Sequence, residues 1–205
     1  MGWSLSTKEV FMVLSWAAFY TLHSVLASSK LKRFLEDKWG ISKKTYRLFY
    51  SLISSITFLG IGIQILYLPP KLIFETIGIS EKLGYFMATL GVILGIRSFK
   101  HISVGEFLGL NSTPSPRADL IQSGLYAWTR HPMYFALFLI FLGFLGVSGT
   151  MGALIHLVCL IIYLPFGIYF EEKKMANEFG DAYRLYQKNV PVFFPNPIKK
   201  GPKPF

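Results

Sequence analysis

Five apolar runs separated by polar segments set the reading of this chain. They cover roughly residues 10–27, 48–68, 83–96, 133–147 and 151–170. A run of about 20 apolar residues, wound as a helix, spans the ~30 Å hydrocarbon core of a bilayer. The pattern predicts an all-α integral membrane protein, one membrane domain over residues 1–205 with about five transmembrane helices. The third run is short and must either tilt against protein or borrow helical residues from its flanks. Only Ser148-Gly149-Thr150 separates the fourth run from the fifth, so these two form a tight antiparallel hairpin. Past the fifth run, Met175, Phe179, Tyr183 and Tyr186 recur at spacings of three and four among polar residues. That is the pattern of a C-terminal interfacial helix over 172–190, which Gly180 allows to bend.

Composition supports a membrane protein. Of 205 residues, 52% are hydrophobic and 16% charged, against about a quarter charged in soluble domains. Mean hydropathy is +0.44. The formal net charge of +10 would suggest nucleic acid in a soluble protein. Here its distribution follows the membrane instead, and no nucleic-acid partner is expected. Segments 28–47, 97–131 and 171–205 hold 18 of the 21 Lys and Arg residues. By the positive-inside rule the N-terminus is outside and the C-terminus cytoplasmic. The first residues lack a basic region and a small-residue cleavage site, and read as a retained span. Cys159 is the single cysteine, which excludes an internal disulfide. Gly91 and Gly95 have the GxxxG spacing of close helix contacts, and Gly143, Gly146 and Gly149 thin one end of the hairpin. Pro165 is expected to kink the fifth span.

Candidate chemistry gathers where the fourth run begins. Ser123 to Tyr134 reads Ser-Gly-Leu-Tyr-Ala-Trp-Thr-Arg-His-Pro-Met-Tyr. Arg130, His131, Tyr126 and Tyr134 sit at the edge of an apolar run, and Pro132 suits a first helical turn. Two readings stand: an interfacial anchor of Arg and aromatic side chains, or a polar ligand site. Glu171-Glu172 directly follows the fifth run and reads alone as a solvated helix end. The hairpin, however, brings both glutamates beside Arg130 and His131, on the cytoplasmic face by the charge count. His23 lies inside the first span, where an ionisable residue is a functional candidate, although a hydrogen-bonded structural role also fits it. His156 in the fifth span reads the same way. The His and Cys positions lack metal-ligand spacing, so no metal is expected. No P-loop or Gly-x-Ser-x-Gly occurs, and Gly60 and Gly62 inside a span exclude a soluble dinucleotide-binding domain.

Taken together these motifs resemble the membrane methyltransferase family that includes isoprenylcysteine carboxyl methyltransferase, phospholipid methyltransferases, bacterial methanethiol S-methyltransferases and NnrU-like proteins. The resemblance is strongest over 111–195. It is carried by Ser123-Gly124-Leu125-Tyr126, Arg130-His131-Pro132-Met133-Tyr134, Glu171-Glu172, Phe179-Gly180-x-x-Tyr183-x-x-Tyr186, Val190-Pro191 and Pro195. His23-Ser24-x-x-Ala27-Ser28 and Glu106-Phe107-Leu108-Gly109-Leu110 are similar to the methanethiol branch. The resemblance implies S-adenosylmethionine as methyl donor. It implies contacts from His131, Pro132, Met133 and Tyr134, with Tyr126 nearby, backbone contacts at Leu120 and Ile121, and an acidic ligand at Glu171. Arg130, Glu172 and Asn111 complete the implied set. It further implies a small or lipid-like methyl acceptor, a thiol favoured. Phospholipid amine or prenylcysteine carboxyl methylation, or a non-catalytic NnrU-like role, are the alternatives. Ala118 and Gly167 stand where prenylcysteine enzymes carry His and Arg, which argues against that substrate.

Overall fold

The computed structural model describes residues 5–67, 70–99 and 120–196. Among these, seven α-helices follow one another: α1 (Thr7–Ala27), α2 (Ser29–Trp39), α3 (Lys43–Gln64), α4 (Gly78–Ser98), α5 (Pro132–Ser148), α6 (Met151–Phe179) and α7 (Asp181–Asn189). Short 3-10 turns lie at Ile65–Tyr67 and Gly124–Ala127.

Local chemistry explains the boundaries. Ser6 and Glu9 close α1 with a reciprocal capping box, and Ser42 caps α3; each satisfies N–H groups that the first turn leaves without partners. Gly40 ends α2 in the left-handed region at φ 63°. Pro132 opens α5, where its missing N–H costs nothing. Gly149 at φ 59° ends α5 and Thr150 caps α6, so the hairpin turns within two residues. Its turn pairs with the loop before α4: Ile73 donates to the Gly149 carbonyl at 2.9 Å, and Met151 donates to the Lys71 carbonyl at 2.9 Å.

Helices α1, α3 with its 3-10 extension, α4 and α6 are long and apolar enough to cross a membrane, and α5 is a shorter apolar helix of 17 residues. The expected third span is thus a 21-residue helix, lengthened by its flanks. Phe11, Leu14, Ile56, Phe86, Ile162 and Phe166 are exposed on the outside of the bundle, an apolar surface of the kind that lipid covers.

Helix α4 lies closest to α5. A Cβ added to Gly84 would stand 2.8 Å from the Gly143 carbonyl oxygen, and one on Gly91 2.7 Å from that of Ala136. Added at Gly95, it would meet nothing nearer than the Ala136 Cβ at 3.8 Å. The close approach therefore uses Gly84 and Gly91, two turns apart on α4, and Gly143 on α5, rather than the Gly91–Gly95 pair that the sequence suggested. At one end of the bundle, Met12, Trp16, Ile61, Met151 and Ile155 form a buried cluster. There the Trp16 indole donates to Nδ1 of His156 at 2.9 Å, giving His156 a structural role.

Two expectations need correction. Residues 172–190 are not one interfacial helix. The span itself continues as α6 to Phe179, Gly180 turns the chain at φ 56°, and α7 follows as a separate nine-residue helix. Segment 28–47, read as a charged connection, contains helix α2, whose Ser28 cap and Gly40 stop are ordinary helix signals.

Candidate functional site

The site lies where α5 begins and the apolar part of α6, which ends at Phe170, gives way to its polar extension. Because the hairpin is antiparallel, both ends meet. Arg130 Nε donates to Glu172 Oε1 at 2.6 Å. Its Nη1 donates to the carbonyls of Gln187 at 2.9 Å and Val190 at 2.6 Å. The Arg130 side chain is 11% exposed, so it is a buried clamp and not a headgroup anchor. A planar guanidinium fork can serve several acceptors at once in this way.

The chain after α7 returns over the same segment. Arg130 N–H donates to the Pro191 carbonyl at 2.9 Å and Asn196 N–H to the Trp128 carbonyl at 2.9 Å. Thr129 Oγ1 donates toward the carbonyls of Val192 and Phe193, and the Tyr186 hydroxyl to the Tyr126 carbonyl at 2.6 Å. Phe193 and Phe194 pack edge-on against Phe135. Residues 190–196 thus form a strap that holds Tyr126–His131 against the hairpin. Tyr183, Tyr186 and Val190 are buried together, with Leu120, Met175 and Phe179 against them.

His131 is 4% exposed. Its Nε2 lies 3.3 Å from Glu172 Oε1 and its Nδ1 3.5 Å from Glu171 Oε2, and its ring stacks on Tyr134 at 5.6 Å. Gln187 Nε2 donates to Glu172 Oε2 at 2.9 Å. Burial alone would raise the Glu172 carboxyl, but the hydrogen bond and charge of Arg130, with His131 and Gln187, hold it below the usual glutamate range. Burial, then the Glu172 charge, pushes the Tyr183 phenol up. The Tyr126 phenol rises through burial and the Glu171 charge. Both stay protonated donors near neutrality.

The structure brings together Tyr126, Arg130, His131, Pro132, Tyr134, Glu171 and Glu172. Leu120 belongs to the strap's packing cluster, while Ile121 and Met133 are half-buried beside these segments. Asn111, and with it Glu106–Leu110 and Ala118, lies outside the described residues. Gln187 was missed, because its reach to Glu172 depends on the turn at Gly180 that folds α7 back. Thr129 was missed as well; nothing in its sequence context marks a hydroxyl that ties down a strap 63 and 64 residues later. A cavity of about 420 Å³ lies at the other end of the bundle beside Lys8, Met12 and Gln64, away from this cluster.

The fold and site define the class: a helical integral membrane protein with a clamped ionic cluster where its α5–α6 hairpin opens. The chain belongs to the phospholipid methyltransferase family, whose profile matches residues 79–182, and it is a methyltransferase. That match covers α5, the α5–α6 hairpin and both glutamates. It is 26% identical to a methanethiol S-methyltransferase of Pseudomonas deceptionensis, over 93% of this chain and 73% of that protein. It is 28% identical to methanethiol S-methyltransferase 1 of Bradyrhizobium diazoefficiens, over 95% of this chain and 70% of that protein. A protein-S-isoprenylcysteine O-methyltransferase of Schizosaccharomyces pombe is 30% identical over 55% of this chain and 45% of its own length. No solved structure matches the chain.

Proposed function

We propose that this enzyme uses S-adenosylmethionine to methylate a small or lipophilic acceptor, a thiol before others, with its donor site on the cytoplasmic face. The observation that carries this is the convergence of Tyr134, His131 and the half-exposed Glu171 at the start of α5. The chemistry there suits the donor. Glu171 is 49% exposed, carries no arginine or lysine partner among the described residues, and would hold the donor's ammonium group. The first turn of α5 begins with Pro132 after an N-cap, His131, that makes no side-chain capping bond. Its N–H groups lack acceptors within the helix and would suit the donor's carboxylate. Tyr126 supplies an aromatic face and a protonated hydroxyl.

When bound, S-adenosylmethionine supplies a methyl group already activated on a sulfonium. The chain's part is then alignment and exclusion of water. Arg130 fixes Glu172, α7 and the strap; the strap positions Tyr126 and His131; His131 lies between the two carboxylates. The thiol preference is supported by extent of similarity, since both methanethiol S-methyltransferases align over more than nine-tenths of this chain and the prenylcysteine enzyme over about half.

Isothermal calorimetry with S-adenosylmethionine or S-adenosylhomocysteine tests the donor site. Glu171→Ala is expected to lose binding, whereas His156→Ala, far along α6, keeps it. Absence of heat with the unmodified enzyme overturns the donor assignment. Equal affinity of the two variants overturns the placement of the site at Glu171.

A further inference from the structure

A row of hydroxyl-bearing and ionisable side chains leads from Glu171 into the bundle. The Tyr134 ring stacks on His131 at 5.6 Å, and His131 Nδ1 lies 3.5 Å from Glu171 Oε2. Across Gly167, the Tyr134 hydroxyl and the Tyr163 ring close on one point: a Cβ at Gly167 would stand 3.2 Å from the Tyr134 oxygen and 3.0 Å from Tyr163 Cε1. The Tyr163 hydroxyl meets Ser24 Oγ at 3.3 Å, and its ring stacks on Tyr20 at 4.0 Å. One residue before Ser24 on α1, His23 packs its ring against Tyr50 at 5.3 Å. The Tyr50 hydroxyl is 3.0 Å from Nε2 of His23, and Nδ1 of that imidazole is 3.2 Å from Ser54 Oγ.

Taking methyl transfer as the reaction proposed above, we propose that Tyr50 and His23 form the acceptor side of the site and take the proton of a small uncharged thiol, Tyr50 relaying it to His23. The reactive form of a thiol is the thiolate, and a bundle interior gives it little solvation. A base must therefore stand inside the apolar region. Among the described residues two imidazoles lie within the spans. His156 accepts from Trp16 and sits 15 residues before Glu171, about 22 Å along the helix at 1.5 Å per residue. His23 joins the row at the level of Tyr163, about 12 Å from Glu171 by the same rise. The tautomer with Nδ1–H donating to Ser54 leaves Nε2 to accept from the Tyr50 hydroxyl, which lies 3.0 Å from Nε2 and 3.3 Å from Nδ1.

The facing groups are Tyr50 and Ser54 on α3, Tyr163 on α6, and Phe19 with Tyr20 and Ser24 on α1. No Lys or Arg is among them. An anionic acceptor would find no cation here and would face Glu171, so the row selects a neutral one. The step balances. The thiol proton passes to the Tyr50 oxygen as the Tyr50 proton passes to Nε2 of His23. The thiolate pair forms the new S–CH3 bond while the sulfonium S–CH3 bond breaks, its pair remaining on the donor's sulfur. The imidazolium later yields its proton to water.

The test uses the full-length enzyme in lipid nanodiscs with two acceptors, an alkanethiol and an arenethiol ionised at neutral pH. His23→Gln and Tyr50→Phe are expected to lower the alkanethiol kcat about 100-fold, the lower end of general-base effects, and to change the arenethiol rate little. Each variant should also lose the rising limb of the alkanethiol pH profile. Without donor, the alkanethiol should shift the His23 signal in 13C-labelled histidine NMR, and Tyr50→Phe should remove that shift. Donor binding by calorimetry separates the causes. If the variants bind donor like the parent, but both acceptors slow equally or the His23 signal ignores the thiol, the relay is overturned. If the parent binds no donor, the methyl-transfer reading fails first.

Discussion

Replacing Arg130 by Met keeps most of the side-chain volume and removes the clamp. The structure sets the scale of the loss. Arg130 makes one charge-assisted hydrogen bond to Glu172 at 2.6 Å, and two bonds to the carbonyls of Gln187 and Val190. Breaking a fully buried ion pair costs about 3–5 kcal/mol. Here Glu172 is 17% exposed and keeps His131 and Gln187 as partners, so water and those donors recover part of that. The two carbonyls, hydrogen-bonded to a charged group, are worth about 1.5–3 kcal/mol each at most, and less where water reaches them. Roughly 2–4 kcal/mol is the expected loss, by the same considerations.

The loss is local. It falls on α7 and residues 190–196, which Arg130 ties to the hairpin, and not on the α1–α3–α6 cluster around Trp16. At 1.4 kcal/mol per decade, the detached form of α7 should become roughly 30- to 700-fold more populated. Amide exchange followed by mass spectrometry reads this directly. Peptides covering 181–196 should lose protection in Arg130→Met, while peptides from 10–20 and 151–160 should not. Arg130→Lys keeps the charge but offers no fork for three acceptors, and should fall between. Unchanged protection over 181–196 in Arg130→Met, or loss spread evenly over the chain, would refute the clamp.

Two further outcomes follow from the same geometry. Gly91→Ala should destabilise the α4–α5 contact by at least about 1–3 kcal/mol, the cost of overpacking, because its Cβ would meet the Ala136 carbonyl at 2.7 Å; Gly95→Ala should be nearly neutral, and equal melting temperatures of the two variants would refute this assignment of the helix contact. The clamp should also depend on pH, since the Glu172 carboxyl is held below its ordinary value of 4.5: its stabilisation is whole above that value and is lost as pH falls through the lower folded value, so protection of 181–196 should decay only below about pH 4.5, and a decay centred near neutrality would assign the transition to another group.

The parts legible in the sequence were those set by short-range chemistry. Three residues between two apolar runs leave no geometry but a hairpin, and the hairpin alone puts Arg130 and His131 beside Glu171 and Glu172. Pro132 and the serine caps mark helix starts for reasons local to a turn. What could not be read depends on surfaces meeting across the bundle. Gly91 and Gly95 look equivalent in a GxxxG pattern, yet only Gly91 and Gly84 lie under the α5 backbone, because the crossing of α4 and α5 decides which row of the helix is covered. Arg130 at the edge of an apolar run has the pattern of an anchor. It becomes a clamp because Gly180 turns α7 back and presents two carbonyls that no local signal announces. The His23–Tyr50 contact joins α1 to α3 and is invisible in either helix alone.

The adjacent glutamates show how one helix end divides its tasks. Consecutive residues on an α-helix point about 100° apart, so Glu171 and Glu172 share only the His131 ring between them and otherwise turn to different partners. Glu172 points to Arg130 and Gln187 beneath α7 and is 17% exposed; its charge is spent on holding the strap. Glu171 is 49% exposed, touches His131 and faces Tyr134, at the mouth of the row that leads to Tyr50 and His23. A carboxylate already matched by a guanidinium has little left for a cationic ligand, whereas one facing only an imidazole and phenols keeps its field for an incoming positive charge. The two charges therefore support each other across the segment 126–131. Glu172 keeps His131 and the start of α5 in place, and that placement leaves Glu171 Oε2 3.5 Å from Nδ1 of the residue that caps α5, half-exposed and with its charge unmatched by any guanidinium.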